Sequence, residues 1–240
     1  MPSVQARALT AQHRQELAGV AETVRRQMRA LAGGASVADI DAWWSRVEPE
    51  AVRLVQRGAD AAARLGESYL RRHAALEGVT LSPVASVPTR GQVRNSLQVT
   101  GPVGFKTHMA RTGDATSSLR VMADRLSGAA TRHTMNGERE TVMRTFAERE
   151  QVAGWRRVGQ GDSCPFCLML QGRGAVYSKR TVEFEAHDSC ACTPEPMYRR
   201  EPDPPEVRAL YDEWLQATEG RSGANALRAW REHVEAGRPG

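Results

Sequence analysis

All four cysteines of this chain lie in one short stretch, and their spacing constrains the fold more than any other feature. Cys164 and Cys167 form a Cys-x-x-Cys pair, and His187 and Cys190 form a His-x-x-Cys pair with the same spacing. A structural zinc ion takes four sulfur and nitrogen ligands, and each tight turn of this kind supplies two of them. The sequence therefore predicts a small module held together by zinc on these four residues.

A fifth donor, Cys192, is the alternative fourth ligand. It follows Cys190 by two residues, so on a strand both side chains point the same way. We prefer Cys190, because His-x-x-Cys closes a compact turn. A redox dithiol and a disulfide pair stay open as other interpretations. A redox pair normally follows the first strand of a βαβ unit, and disulfides belong to exported proteins; neither a βαβ pattern nor an apolar signal sequence is present.

The charge and apolar content limit the choice of partners. The chain has 240 residues and a net charge of +5, carried mostly by arginines that alternate with Asp and Glu. Nucleic-acid-binding proteins tend to concentrate their basic residues, so this pattern supports DNA contact only weakly. No stretch approaches the ~20 apolar residues of a membrane span. We expect a soluble protein made in a reducing cytoplasm, where thiols hold metal more readily than each other.

Residues 1–77 are predicted to form a helical region. An apolar stripe at three- and four-residue spacing indicates a helix from about Thr10 to Ala32. Ser36, with an acidic residue three positions later, is predicted to cap a second helix. Pro49 is predicted to open a third helix, because proline fits the first helical turn. Trp43-Trp44 is expected to pack between helices.

Residues 78–113 are predicted to form a linker or extended arm, because prolines and glycines interrupt the periodicity. A short strand at 97–99 is the one element expected there. Helical spacing returns after Asp114, a predicted N-cap. Asn136-Gly137 is predicted to break or kink that helical stretch, and His133 is expected to make a local hydrogen bond within it.

From residue 154 the pattern changes to short strands around the cysteines. Prolines are predicted to close this module, and a tail with two amphipathic helices is predicted over 201–240. The module is predicted to contain a turn at 161–162, a short helix after Cys167, and strands at 155–158, 175–177 and 190–193. The predicted fold class is mainly α with a small α+β zinc-stapled module at 154–198, preceded by a helical bundle or extended helices.

Several motifs of this region occur together in one protein family. They are Gly154-Trp155-Arg156-Arg157-Val158, Cys164-Pro165-Phe166-Cys167, Arg173-Gly174-Ala175-Val176-Tyr177 and His187-Asp188-Ser189-Cys190-Ala191-Cys192. With Val99-Thr100-Gly101-Pro102 and Asn136-Gly137-Glu138 upstream, they resemble the MuF-like minor capsid (head morphogenesis) proteins of tailed phages, those of actinobacteriophages above all. The resemblance covers residues from about 97 to 198, and we predict a MuF-like domain at 114–200.

The resemblance implies a minor structural protein of the phage head, built into the procapsid in small numbers. The implied partners are the portal protein and the major capsid protein, with packaged DNA as a further candidate. The implied location is the capsid interior or portal vertex, after assembly in the host cytoplasm. Neither a membrane nor a small-molecule substrate is expected.

The sequence offers no catalytic set, so we expect no enzyme activity. A closed four-ligand zinc shell has no open position for substrate. A His-Asn-His nuclease would need a further histidine in the module, and an ADP-ribosyl-transferase-like site would need partners for Glu183 or Glu185. Contacts with DNA phosphates or an acidic portal surface are predicted for Arg156, Arg157, Arg173 and Arg180. The alternative function is a zinc-stapled nucleic-acid-binding adaptor associated with packaged DNA.

Overall fold

Three long helices pack against one another and form the body of the protein. They are α1 (Val4–Ala32), α2 (Ile40–Leu76) and α5 (Ala115–Glu148). The computed structural model describes residues 2–159, 163–176 and 184–237. The remaining elements of these ranges are α3 (Arg90–Gln98), α4 (Gly104–Thr112), β1 (Gly154–Val158), α6 (Pro165–Gly172), β2 (Thr193–Met197), α7 (Pro205–Ala217) and α8 (Gly223–Glu235). The predicted fold class, mainly α with a small α+β module, is confirmed.

Helix α1 follows the predicted apolar stripe but begins earlier than expected. The Ser3 hydroxyl accepts a hydrogen bond from the Ala6 N–H at 3.1 Å and so caps the helix. Leu17, Val24 and Met28 are buried on one face. That face packs against α2 and α5. Tertiary packing of the apolar stripe therefore stabilises this helix more than its intrinsic propensity does.

Helix α2 is one continuous helix, so the prediction that Pro49 opens a third helix is wrong. A proline inside a helix cannot donate to the carbonyl four residues earlier, here that of Ser45. Both Pro49 and Ser45 are exposed, so water can bond to that carbonyl instead. Ser36 makes no capping hydrogen bond, which also corrects the prediction; a short 3-10 turn, Val37–Asp39, leads into α2.

Helix α5 begins at the predicted cap but continues through the predicted break. The Asp114 carboxylate accepts a hydrogen bond from the Ser117 N–H at 2.9 Å. Gly137 lies inside the helix and faces α2, where a β carbon would collide with the backbone of Ala59. This glycine therefore lets two helix backbones approach closely. The packing outweighs its low helix propensity, which is why the helix does not end there.

The segment 78–113 is extended only in its first part. Residues 79–89 have no regular structure, and α3 then begins behind a capping box formed by Thr89 and Gln92. The strand predicted at 97–99 is wrong, because Leu97 belongs to α3 and is fully buried in the core of the body. The segment Val99–Val103 joins α3 to α4. Gly101 in its middle has a non-helical backbone (φ −85°, ψ −110°) and is followed by Pro102, so the chain kinks there.

The largest apolar core lies among the helices of the body. Trp43 and Trp44 are buried in this core, as expected. A second core joins the body to the module, where Tyr69 and Phe146 cluster with Trp155 of β1. The module therefore rests directly on the body.

Strands β1 and β2 form an antiparallel pair in which Trp155 lies opposite Pro196 and Arg157 opposite Pro194. The strand predicted at 155–158 is confirmed. The last predicted strand begins later than expected, at Thr193, and contains the prolines that were predicted to close the module. A strand at a sheet edge tolerates proline because its outer side needs no N–H donor. Residues 175 and 176 are not in a strand, and residues 177 and 161–162 lie outside the described ranges.

Helices α7 and α8 form the predicted C-terminal tail and pack on α6. Leu168, Leu210 and Trp230 form a buried cluster between the three helices. The Trp230 indole N–H donates to the Pro165 carbonyl at 2.7 Å. Among the described residues, no helix combines the length and the apolar character of a membrane span. The division of the chain into four regions stays a prediction.

Candidate metal centre

The turn into α6 brings Cys164 and Cys167 together. Cys164 is the N-cap of α6, and its sulfur accepts a hydrogen bond from the Cys167 N–H at 3.5 Å. Pro165 occupies the first helical position, where its fixed φ suits the helix and its missing N–H costs nothing. The Cys-Pro-Phe-Cys sequence therefore forms a well-defined turn that places both sulfurs at the N-terminus of α6.

The second pair of donors lies on a tight turn held against α5. The Cys190 N–H donates to the His187 carbonyl at 3.1 Å, and Ser189 between them has a φ of 64°. The Ser189 N–H donates to the Gly128 carbonyl of α5 at 3.2 Å. The Asp188 carboxylate accepts a hydrogen bond from Arg132 of the same helix at 2.7 Å. Helix α5 thus holds this turn in a backbone conformation that non-glycine residues seldom adopt.

Five donor atoms lie together in two overlapping groups. The His187 Nε2 atom is 3.1 Å from the Cys164 sulfur and 3.3 Å from the Cys167 sulfur. The Cys167 sulfur is also 3.6 Å from the Cys190 sulfur, and the Cys192 sulfur completes this second group. Within each group the donor atoms lie no more than 4.8 Å apart. Cys167 belongs to both groups and joins them.

The donor set suits a soft or borderline metal ion. Sulfurs bound to one tetrahedral zinc ion lie ~3.8 Å apart, given a Zn–S bond of ~2.3 Å. The distance of 3.6 Å between the Cys167 and Cys190 sulfurs is close to this value. Among the described residues no carboxylate joins either group, whereas hard ions such as Mg²⁺ and Ca²⁺ require oxygen ligands. This cluster could therefore hold a metal ion.

The three sulfurs of the second group are shielded from solvent. Cys167, Cys190 and Cys192 are each 2% exposed, whereas Cys164 is half-buried and His187 is exposed. The hydrogen bond from Cys167 lowers the pKa of the Cys190 thiol, and the positive charge of Arg139 lowers it further. The same contact raises the pKa of Cys167. The cluster thus favours a thiolate on Cys190, and the thiolate is the form in which cysteine binds metal.

Arg139 of α5 ties the cluster to the body. Its buried guanidinium donates to the Cys192 carbonyl at 3.0 and 2.8 Å and to the Cys190 carbonyl at 2.7 Å. A second buried arginine, Arg157, places a nitrogen 4.0 Å from the Cys190 sulfur. Arg139 could not be predicted from the sequence as part of the site, since an arginine inside a long helix carries no local signal of a distant partner.

A protein-family model, described as VG15 protein, matches residues 4–217 of the chain. The chain belongs to the VG15 protein family. This is a phage-associated family of viral gene proteins. A comparison with curated proteins and one with solved structures gave no match.

The VG15 match runs from the start of α1 to the end of α7. All five donor atoms of the cluster lie inside it, as does Arg139, whereas α8 lies beyond it. The helical body and the cysteine module of this VG15 chain are therefore parts of one family unit.

The predicted arginine contacts need a correction. Arg156 and Arg157 are 4% and 2% exposed, so neither guanidinium is available to DNA or to a partner protein. Residues on both sides of β1 are buried, so the strand leaves neither arginine facing solvent. Arg173 is exposed, and its contact with a partner stays a prediction. Arg180 lies outside the described residues.

Arg156 instead takes part in a buried polar network between the module and the body. It pairs with Glu195 of β2. The Glu195 carboxylate also accepts a hydrogen bond from the Thr10 hydroxyl of α1 at 2.8 Å, and that hydroxyl lies 2.9 Å from the Tyr69 hydroxyl of α2. A buried ion pair adds little net stability, but any arrangement that leaves one of its two charges buried without the other is strongly destabilising. The network therefore favours one docking position of the module.

His133 does not make the predicted local hydrogen bond. It is 5% exposed, and neither ring nitrogen has a hydrogen-bond partner within the described ranges. Burial lowers the pKa of His133 to about 4, and the charge of Arg132 adds to this effect. The imidazole is therefore neutral at pH 7, and it belongs to neither donor group.

Proposed function

We propose that this protein is a minor structural component of a tailed-phage head, acting in head morphogenesis near the portal. The observation that carries the proposal is the match to a phage-associated family over residues 4–217. The resemblance of the cysteine module to MuF-like minor capsid proteins supports the finer assignment. The proposed location is the capsid interior or portal vertex, after assembly in the host cytoplasm.

In this proposal the module is stabilised by one structural zinc ion. The proposed ligands are Cys164, Cys167, His187 and Cys190, with Cys192 as the alternative fourth ligand. The distance of 3.6 Å between the Cys167 and Cys190 sulfurs, close to the spacing on one zinc ion, supports Cys190 as a ligand. A zinc ion with four protein ligands has no open position for a substrate, and it contributes on the order of 10 kcal/mol to folding. We accordingly propose a structural role without enzyme activity.

We propose a protein partner, the portal or the major capsid protein, in preference to packaged DNA. Two apolar side chains one turn apart on α7, Tyr211 and Leu215, are 46% and 49% exposed. Tyr211 also lines a groove of about 670 Å³ between α6 and α7, together with Met169 and Val207. Exposed apolar side chains of this kind favour contact with another protein, whereas phosphate contacts require positive charge.

Co-expression with the portal protein of the same phage tests this function. The tagged chain would be captured after nuclease treatment, in parallel at low and at high salt. We expect the portal protein to be retained under both conditions. Leu215→Ser should weaken this retention, whereas Gln216→Ser, the exposed neighbour on the same helix, should not.

The nucleic-acid-binding alternative predicts a different result. Binding to phosphates weakens steeply as salt rises, because it depends on the release of counterions. Nucleic acid that is retained at low salt without nuclease and lost at high salt, with no portal or capsid protein captured, would contradict the head-assembly proposal and support the adaptor.

A further inference from the structure

The cysteine cluster holds one more donor than a tetrahedral ion can use. Zinc in a structural site takes four ligands, and the proposed set leaves Cys192 over. The Cys192 sulfur lies within 4.8 Å of the sulfurs of Cys167 and Cys190. Its polar neighbour outside the cluster is the Gln171 amide, 4.0 Å away. The Cys192 thiol, which the proposed ligand set does not use, thus lies beside the sulfurs of two proposed ligands, Cys167 and Cys190.

We propose that Cys192 is an oxidation site, at which a hydroperoxide drives formation of a disulfide with Cys167 and release of the metal ion. The inference rests on the proposed zinc centre and adds its regulation. A metal centre with only four donors can lose its ion by simple dissociation. The fifth donor provides a route that removes a ligand covalently, because the attacking and accepting sulfurs are already neighbours.

The chemistry balances with hydrogen peroxide as the oxidant. The Cys192 sulfur attacks one peroxide oxygen, the O–O bond breaks, and a sulfenic acid forms with loss of one water. The Cys167 thiolate then attacks the sulfenic sulfur, so that an S–S bond forms and hydroxide leaves and takes up a solvent proton. One thiol, one metal-bound thiolate, one solvent proton and one peroxide thus yield one disulfide and two waters, and the metal ion loses the Cys167 ligand. The two sulfurs lose two electrons, which the peroxide gains.

Cys167 is a better partner than Cys190 for reasons of chain geometry. Cys190 and Cys192 are separated by one residue, so a disulfide between them would close a small, strained ring. Cys167 lies on a separate element, α6, and is not restricted in this way. Cys167 also belongs to both donor groups, so a disulfide at Cys167 takes away the ligand with the most contacts in the cluster.

An oxidant can approach the cluster from one side. Cys192 is buried, but Cys164 is half-buried and His187 is exposed, so these two residues form the solvent-facing side of the cluster. Hydrogen peroxide is little larger than water. We therefore expect slow but specific oxidation, slower than that of an exposed thiol.

The test uses the full-length, metal-loaded protein, with its metal content measured before any oxidant is added. Hydrogen peroxide is then titrated in, released zinc is followed with a chromogenic chelator, and disulfides are mapped by mass spectrometry of the digested protein. We expect zinc release to accompany a Cys167–Cys192 disulfide. Cys192→Ser and Cys192→Ala should keep their zinc and release it at least about tenfold more slowly.

Three results would overturn the inference. These are zinc release from both Cys192 variants at the wild-type rate, a mapped disulfide that omits Cys192, or loss of zinc from the variants before oxidation. A wild-type protein that carries no metal at the start would instead contradict the proposed zinc centre. Disulfide mapping of that protein would then still show whether Cys192 is the oxidised thiol.

Discussion

Arg139 in the middle of α5 donates two hydrogen bonds to the carbonyl oxygen of Cys192, at 3.0 and 2.8 Å. A third donated bond reaches the Cys190 carbonyl at 2.7 Å. The guanidinium is buried, and a helix of the body thereby fixes the backbone that carries two candidate ligands. The position of the candidate metal centre thus depends on a residue that offers no ligand to it.

Replacement of this arginine should destabilise the module. Arg139→Met leaves two buried carbonyl oxygens without a charged donor, and we expect a loss of about 2–4 kcal/mol in the free energy of unfolding. Arg144→Met is the matched control, since Arg144 lies on the same helix in an exposed pair with Glu148 and should change stability by less than ~0.5 kcal/mol. Denaturant unfolding of both variants measures this difference. Equal stabilities would contradict the assigned role.

A second prediction concerns the close approach of α2 and α5. Gly137→Ala should cost about 2–3 kcal/mol or more, because the added methyl group meets the backbone of Ala59. Gly19→Ala on α1 should be neutral or stabilise by up to ~1 kcal/mol, because nothing lies within 4 Å of a β carbon there. Thermal unfolding of the two variants gives the comparison. A tolerated alanine at 137 would show that the helices do not meet at this point.

His133 should make stability depend on pH. Its pKa in the folded protein, about 4, lies below the ordinary value of 6.5, so the unfolded chain takes up the proton first as the pH falls. Above pH ~6.5 His133 is mostly neutral in both states, and its contribution to the free energy of unfolding is fully present. Between pH 7 and pH 5 the free energy of unfolding should fall by about 2 kcal/mol. His133→Leu should remove this part of the dependence, with Arg132 and Asp188 unchanged beside it. Parallel slopes for the two proteins would contradict the assignment.

The two candidates for the fourth ligand can be separated by substitution. Cys190→Ser should lose most of the bound metal, because Cys190 is a proposed ligand whose sulfur lies 3.6 Å from that of Cys167, close to the spacing on one zinc ion. Cys192→Ser should retain it. Metal content after dialysis against a weak chelator measures both variants, and retention by Cys190→Ser with loss by Cys192→Ser would reverse the assignment.

The features that could be predicted from the sequence were those set by local pattern. The stripe of α1, the Asp114 cap and the strand at Trp155 each depend on residues near in sequence, and each is present. The grouping of the cysteines likewise follows from two short turns. Periodicity, caps and turn spacing therefore gave the elements and the centre of the site.

The features that could not be predicted depend on what each element packs against. Pro49 lies in an exposed helix position where water replaces the lost bond, and Gly137 lies where another backbone approaches. Both residues normally indicate a helix end. The burial of Arg156 depends on Glu195, 39 positions away in the chain, and no local signal connects them.

The measurement that tests the central claim most directly is the metal content of the purified protein by elemental mass spectrometry, with its thiols titrated on the same sample. We predict about one zinc ion per chain and few reactive thiols, because three of the four cysteines are bound to the ion. Protein with no metal and freely reactive thiols would contradict the zinc-stapled module and revive the dithiol interpretation.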